Sequence, residues 1–257
     1  MKKTVIYWMS SAACALLSAL SATTDASVLS TFQSWNPYVQ VAYTPSWIHA
    51  GGTSSRQILP AGNLEDQFVF SSHTQTSDIN FGGGFDFPVS FKRGWLNNFD
   101  FDFDYYSMKT FSVNGMDSQW QSPTVLWKYD LSNAVKLSAV LLDANVELYQ
   151  YKAVQCFAGL GVDYSWIKTS DFKQVAQSPA TPSTLAVAGS NYNQWLYHLN
   201  LGLHANLSRH FRANLLDAYY PYIPVKTGQA TLSNTQLAPL TYHLSMNQLS
   251  LSLDYLF

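Results

Sequence analysis

The sequence predicts an all-β chain: an eight-stranded antiparallel up-and-down barrel that crosses a membrane, with short turns at one end and long loops at the other. Three observations predict it. Apolar and polar residues alternate with period two in eight segments, as they do where successive strand side chains point to opposite faces. The spacers between the segments are alternately short and long, the hairpin pattern of a membrane barrel. Charged residues make up only 12% of the 257 residues while aromatics reach 15%, against about 25% charged in ordinary soluble domains.

The beginning of the chain indicates export. Lys2 and Lys3 precede an uncharged, mostly apolar stretch at 4–22, and small residues then offer cleavage before Ala22 or before Ser27. This is the layout of a secretory signal peptide, and its apolar core is short for a spanning helix. Residues 1–26 are therefore read as a removed signal, and 27–257 as the barrel domain. Cys14 belongs to the removed part, and "SSAAC" lacks the upstream leucine of a lipoprotein signal. Cys156 then stands alone, so no intramolecular disulfide is expected. The formal net charge is -2 with no basic stripe, which argues against a nucleic-acid partner.

The elements follow in order. Residues 37–48 place Val39, Val41, Tyr43 and Trp47 on one face, with Gln40, Ala42, Thr44 and Ser46 on the other. In 78–91, Ile79, Phe81, Phe85, Phe87, Val89 and Phe91 oppose Asn80, Gly82, Gly84, Asp86 and Pro88. Residues 98–108 are the clearest case: Phe99, Phe101, Phe103 and Tyr105 alternate with Asp100, Asp102, Asp104 and Tyr106. In 138–149 the polar face carries Asp143, Asn145 and Glu147, and in 153–167 Gln155, Gly159, Gly161 and Asp163. In 194–207 it carries His198, Asn200, Gly202, His204 and Asn206. Residues 211–222 are less regular, since Arg212 and Asn214 share a face while Asp217 falls on the other with Ala213 and Leu215. The eighth strand is 242–257, with Asp254 opposite its leucines and closing against 37–48.

Residues 92–97, 150–152 and 208–210 read as tight turns, and 49–77, 109–137, 168–193 and 223–241 as long polar loops. Within those loops, "QFVF" (67–70) and "TVLWKYDL" (124–131) are strand-capable. They either extend the hairpins above the membrane or add a ninth and a tenth strand.

A secreted β-sandwich also alternates, but three features oppose it. The apolar faces are long enough for tilted strands of about 9–11 residues to cross lipid. The opposite faces carry carboxylates, amides and glycine, where a water-facing sandwich carries Lys and Glu. Aromatics gather near strand ends (Trp35, Tyr38, Trp47, Trp95, Tyr149, Tyr151, Trp166, Trp195, Tyr219, Tyr220), as interfacial girdles do.

The chain ends in "LSLSLDYLF". Leu249, Leu251, Leu253, Tyr255 and the terminal Phe257 resemble the C-terminal signal read by the outer-membrane barrel insertion machinery. The segments "AVLLDANVELYQYKAVQCFAGLGVDYSW" (139–166) and "LGLHANLSRHFRANLLDAYY" (201–220) give the chain its resemblance to the OmpA-, OmpX- and opacity-protein-like family of eight-stranded outer-membrane β-barrels. That resemblance implies integral placement in a bacterial outer membrane, contact with outer-membrane lipid and lipopolysaccharide, and extracellular loops that meet host or surface ligands. It says little about function, because that architecture serves anchors, adhesins, pores and a few lipid-modifying enzymes. No peptidoglycan-binding domain is expected after the barrel.

The candidate functional residues are the inward-facing charges: Asp86, Asp100, Asp102, Asp104, Asp143, Glu147, Asp163, His198, His204, Arg212 and Asp254. They form an interior polar network, with Arg212, His198 and His204 as partners of the Asp100–Asp104 run, or an acidic stripe along a cation-preferring lumen. Alternate strand carboxylates also suit a hard cation, yet the sequence assigns no resident metal, no cofactor and no catalytic residue. His243-Leu244-Ser245 is similar to the His-x-Ser pair of lipid A deacylases, but no acid follows at a useful spacing to orient the base. The paired Asp/His constellations of omptin-like proteases do not assemble. Cys156 faces outward without a redox role, and Gly82-Gly83-Gly84 is no phosphate loop, as no helix follows. The expected function is therefore non-enzymatic, in surface interaction or envelope integrity. A small pore or hydrophobic-ligand conduit is the first alternative and a lipid A-modifying enzyme the second.

Overall fold

Thirteen strands account for nearly all of the described chain in the computed structural model, which describes residues 36–59, 64–88, 98–121, 124–151, 153–177, 185–232 and 235–257. They are β1 (Asn36–Leu59), β2 (Leu64–Pro88), β3 (Asn98–Ser107), β4 (Phe111–Gln121), β5 (Thr124–Tyr151), β6 (Val154–Thr169), β7 (Lys173–Ala176), β8 (Leu185–Val187), β9 (Ser190–Asn206), β10 (Phe211–Lys226), β11 (Ala230–Leu232), β12 (Thr235–Leu237) and β13 (Thr241–Leu256). The segment 1–26 read as a signal peptide, the turn expected at 92–97 and the residues Trp35, Val89, Phe91 and Trp95 lie outside the described residues.

The wall is a closed antiparallel ring. β1 pairs with β2 on one side and β13 on the other, and the circuit runs on through β10, β9, β6, β5 and β3 back to β2. β3 and β4 are two halves of one wall strand, since both lie between β2 and β5 and only residues 108–110 interrupt them. The ring therefore has eight wall strands, as the sequence predicts. Closure pairs every edge, which is what allows a sheet to stand in lipid.

The register fixes the barrel's width. Partners lead from Pro37 through Phe85, Phe101, Ala144, Leu160, Leu199, Tyr219 and Asn247 to Trp47. One turn thus returns to β1 about ten residues further on. Eight strands with that stagger, spaced about 4.8 Å apart at about 3.3 Å per residue, tilt by roughly 40°. A barrel this narrow fills with its own side chains.

All eight predicted segments are wall strands. The segments at 67–70 and 124–131 lengthen β2 and β5, and the stretches read as polar loops are mostly paired strand. β1 and β2 stay paired out to Leu59 and Leu64, β4 continues the wall beside them, and β8, β11 and β12 make a separate three-stranded sheet.

The alternation reverses its sense part-way along the strands. On β9, the outward Trp195, Tyr197, Leu199, Leu201 and Leu203 are exposed while His198, Asn200 and His204 are buried; nearer the loop end, Leu196 is buried and Asn191 and Asn193 face out. On β13, Leu251, Leu253 and Tyr255 face out, but further along Tyr242, Leu244 and Met246 are buried and Thr241 is exposed. β5 changes at Leu141-Leu142: Leu142 and Leu148 are exposed, whereas Leu131, Val135, Leu137 and Ala139 are buried. Apolar-out suits lipid and apolar-in suits water, so the reversal marks where the barrel leaves the membrane. Between Trp195 and Leu207 the outward band spans roughly 30 Å at this tilt, the thickness of a bilayer's hydrocarbon core.

One expectation about the aromatic girdles is corrected, and the outward reading of Asp217 holds. Tyr38 and Tyr220 are not girdle residues, being 3% and 0% exposed. Asp217 faces outward, opposite Leu249 and Leu201, because the irregularity in β10 falls beyond it, between Tyr220 and Ile223.

Candidate functional site

Every inward-facing charge named from the sequence points into the barrel. The network they form has three parts.

Arg212 organises the first. It lies directly opposite Asp254 in the β10–β13 ladder, and its Nε donates to Asp254 Oδ2 at 2.7 Å. Nη1 reaches across the lumen to both oxygens of Asp86 on β2 at 2.9 Å. The guanidinium carbon lies 4.5 Å from the centre of the Tyr38 ring. Asn214 Nδ2 adds a bond to Asp254 at 2.7 Å. A planar fork donor meets carboxylates from two strands here, the geometry Arg serves better than Lys.

Neutral donors hold the second part. The Tyr38 hydroxyl donates to Asp102, Asn145 Nδ2 to Asp102 Oδ2 at 2.8 Å and Gln40 Nε2 to Asp104 Oδ1 at 2.6 Å. The expected pairing of the Asp100–Asp104 run with the interior cations is thus overturned for Asp102 and Asp104. The tilt carries Arg212 toward Asp86 and Asp254, and both histidines bond other acids. A small internal cavity of about 40 Å³ lies beside this run, with Asp100, Asp102, Asp104, His204 and Arg212 in its lining.

Histidines centre the rest. His198 sits between two acids, its Nε2 2.7 Å from Asp143 and its Nδ1 2.9 Å from Asp163. Gly161 is the direct ladder partner of both Asp143 and His198. A Cβ at Gly161 would overlap both side chains, so glycine lets the pair meet across an intervening strand. The Tyr106 hydroxyl reaches Asp163 at 3.4 Å. His204 Nε2 lies 3.0 Å from Glu147 and also meets Gln155 Oε1. Toward the loop end the interior becomes an apolar core built from Ile48, Phe68, Phe70, Leu137, Ile167, Leu196, Leu244 and Met246, among others. The expectation of an interior that is polar throughout is corrected by this core, whose signal in the sequence is the reversed alternation.

The His-x-Ser pair lies on the outer wall. Ser245 faces His49 in the β13–β1 ladder, and His49 faces His73 in β1–β2 with ring centroids 4.3 Å apart. The His243 ring stacks on Tyr222 at 5.5 Å. Trp47, His49, His73, Gln75 and Ser245 line a groove there of about 430 Å³. Asp217 shares this outer face, but it lies opposite Leu249, four residues along β13 from Ser245, roughly 13 Å of strand.

No protein-family model matches the chain, and no curated protein matches it significantly. Solved structures do. Neisserial surface protein A (NspA) is 12% identical with a TM-score of 0.45, covering 88% of this chain and 100% of its own. Ail, the attachment invasion locus protein of Yersinia pestis, solved with the heparin analogue sucrose octasulfate, is 11% identical with a TM-score of 0.42, covering 88% and 100%. The outer membrane protease OmpT of Escherichia coli is 10% identical with a TM-score of 0.38, covering 88% and 98%. The architecture of this chain stands on its own strand pairing, and nothing these proteins bind or cleave is carried over to it.

Proposed function

We propose that the protein is an integral outer-membrane barrel that does not conduct and carries out no catalysis, and that it holds a β-structured head above the membrane for contact with surface ligands and lipopolysaccharide. One observation carries this reading: the apolar core that closes the barrel at the loop end, continuous with the extended hairpins. Side chains such as Ile167, Val135 and Val225 are fully buried there, and a cavity in the polar section beneath measures about 40 Å³, room for a water or two. A rigid head suits recognition, because a preorganised surface loses less entropy on binding. The outward C-terminal row of Leu249, Leu251, Leu253, Tyr255 and Phe257, exposed from Leu251 on, fits a role in recognition by the insertion machinery.

Planar-bilayer recording of the refolded protein tests closure. The expected record is flat, and discrete, salt-dependent steps would establish the pore instead. Mass spectrometry of lipid A from cells overproducing the protein tests the enzyme reading, with unchanged acylation expected. Loss of an acyl chain that depends on Ser245 would replace the proposal with a deacylase at the outer groove.

A further inference from the structure

We propose a divalent-cation site inside the barrel near its short-turn end, formed by Asp100 on β3, Glu147 on β5 and His204 on β9. One donor atom from each lies within 4.8 Å of the others, and all three side chains are buried. Imidazole with two carboxylates is a donor set for a first-row divalent ion, and its mixed character favours Zn²⁺ or Mn²⁺ over Ca²⁺.

Four further observations point to a ligand there. Asp100 is 4% exposed, and its Oδ1 has no hydrogen-bond partner among the described residues. A buried carboxylate oxygen without a partner is costly, and a cation would satisfy it. His204 Nε2 points at two oxygens at once, from Glu147 and Gln155. A single N–H serves one such acceptor well, whereas a metal ion gathers several. The cavity beside the cluster is lined by Asp100 and His204, leaving room for a coordinated water. Finally, the lipid-level section of the interior holds eight carboxylates against Arg212 and two histidines. Arg212 is engaged by Asp86 and Asp254, and His198 by Asp143 and Asp163. Of these three bases only His204 offers a donor atom to the Asp100–Glu147 pair, Arg212 being bonded to Asp86 beside it, and a divalent ion would balance the pair.

The second histidine cluster is built differently. His198 meets its two acids through two different ring nitrogens, so its donor atoms do not converge on one point as those of Asp100, Glu147 and His204 do. The cation site would tie the neighbouring strands β3 and β5 to β9, which β6 separates from β5, so its effect would be on the barrel's rigidity near the short-turn end.

The untagged barrel, refolded in detergent and stripped with a chelator, is dialysed against Zn²⁺ and assayed for bound metal, with folding followed by heat-modifiable gel mobility. The wild type is expected to retain one Zn²⁺ per barrel. Asp100→Asn, Glu147→Gln and His204→Gln are each expected to weaken retention at least tenfold. His73→Gln, which removes the outer histidine pair, and Asp163→Asn, in the second interior cluster, are expected to retain the ion. Absence of bound metal in the folded wild type overturns the site, as does full retention in His204→Gln. Loss only in His73→Gln assigns the metal to the outer wall and overturns it equally. If the variants fail to fold, Co²⁺ substitution of the wild type decides: visible d–d bands of an imidazole-ligated ion that persist in His73→Gln are expected, and their absence refutes the site.

Discussion

The two ends of the barrel interior solve the same packing problem with opposite chemistry. Behind the lipid-facing band, the lumen is filled by Arg212, two histidines and eight carboxylates, tied together by directional bonds. Beyond the outer aromatic level it is filled mainly by Leu, Ile, Phe and Met side chains, with a few polar groups such as Asn133 and Asp117 bonded among them. The outside solvent explains the contrast. Where lipid surrounds the wall, the apolar face is turned out and the polar face has only the lumen to occupy. Where water surrounds it, the same alternation turns over and an ordinary hydrophobic core forms. One chain thus folds as a membrane barrel and a soluble β-structure in series, without a linker.

The largest expected effect comes from breaking the polar section. Arg212→Ala leaves Asp86 and Asp254 buried near each other without their cation, which costs about 3–5 kcal/mol. Urea unfolding in lipid vesicles should show this as a lower midpoint, with Asp254→Asn in the same background recovering part of it. The apolar end should respond less steeply. Ile167→Ala removes a fully buried side chain from the core and costs about 3 kcal/mol through lost burial and the cavity left behind. The two substitutions should also differ in salt dependence. High salt should not alter the Ile167→Ala penalty, while a penalty as insensitive for Arg212→Ala would show that packing rather than charge dominates that site. A smaller effect belongs to the acidic run: Gln40→Ala removes the 2.6 Å donor of Asp104 and should cost about 1–2 kcal/mol, measured in the same titration.

The lipid-facing section was legible in the sequence because few folds besides a barrel in lipid combine period-two alternation in one sense with aromatics at the strand ends. All eight wall segments and all eleven inward charges follow from it. The head was not legible for the same reason. On β5 the pattern changes phase at Leu141-Leu142, so the outward row of Val140, Leu142, Ala144 and Val146 does not continue toward the strand's N-terminal side. There the apolar residues are Leu131, Val135 and Leu137, on the other face. The interior partners were hidden too, because partnership depends on register. Arg212 meets Asp254 as a direct ladder neighbour, but it meets Asp86 only because the stagger brings β2 across the lumen. Asp100, Glu147 and His204 come to one level by the same stagger, although 104 residues separate Asp100 from His204.

Asp217 sharpens the comparison from the outside. It is the one described carboxylate on the outward face among the leucines of the band, opposite Leu201 and Leu249 and exposed. Its neighbours in the chain fix the face: Arg212 and Asn214 point in, the strand stays regular through Tyr220, and Leu215 and Tyr219 point out beside it. A carboxylate turned to lipid is destabilising, though by less than Arg or Lys at the same depth. Asp217→Leu is therefore expected to stabilise the barrel by about 1 kcal/mol in phosphatidylcholine vesicles, with no gain in detergent micelles, where water reaches the wall. Equal stabilisation in both would mean that lipid does not cover this position. A loss of stability in vesicles would mean that Asp217 makes a favourable contact at the membrane face, and the apolar band would then carry a specific site as well as a solvent preference.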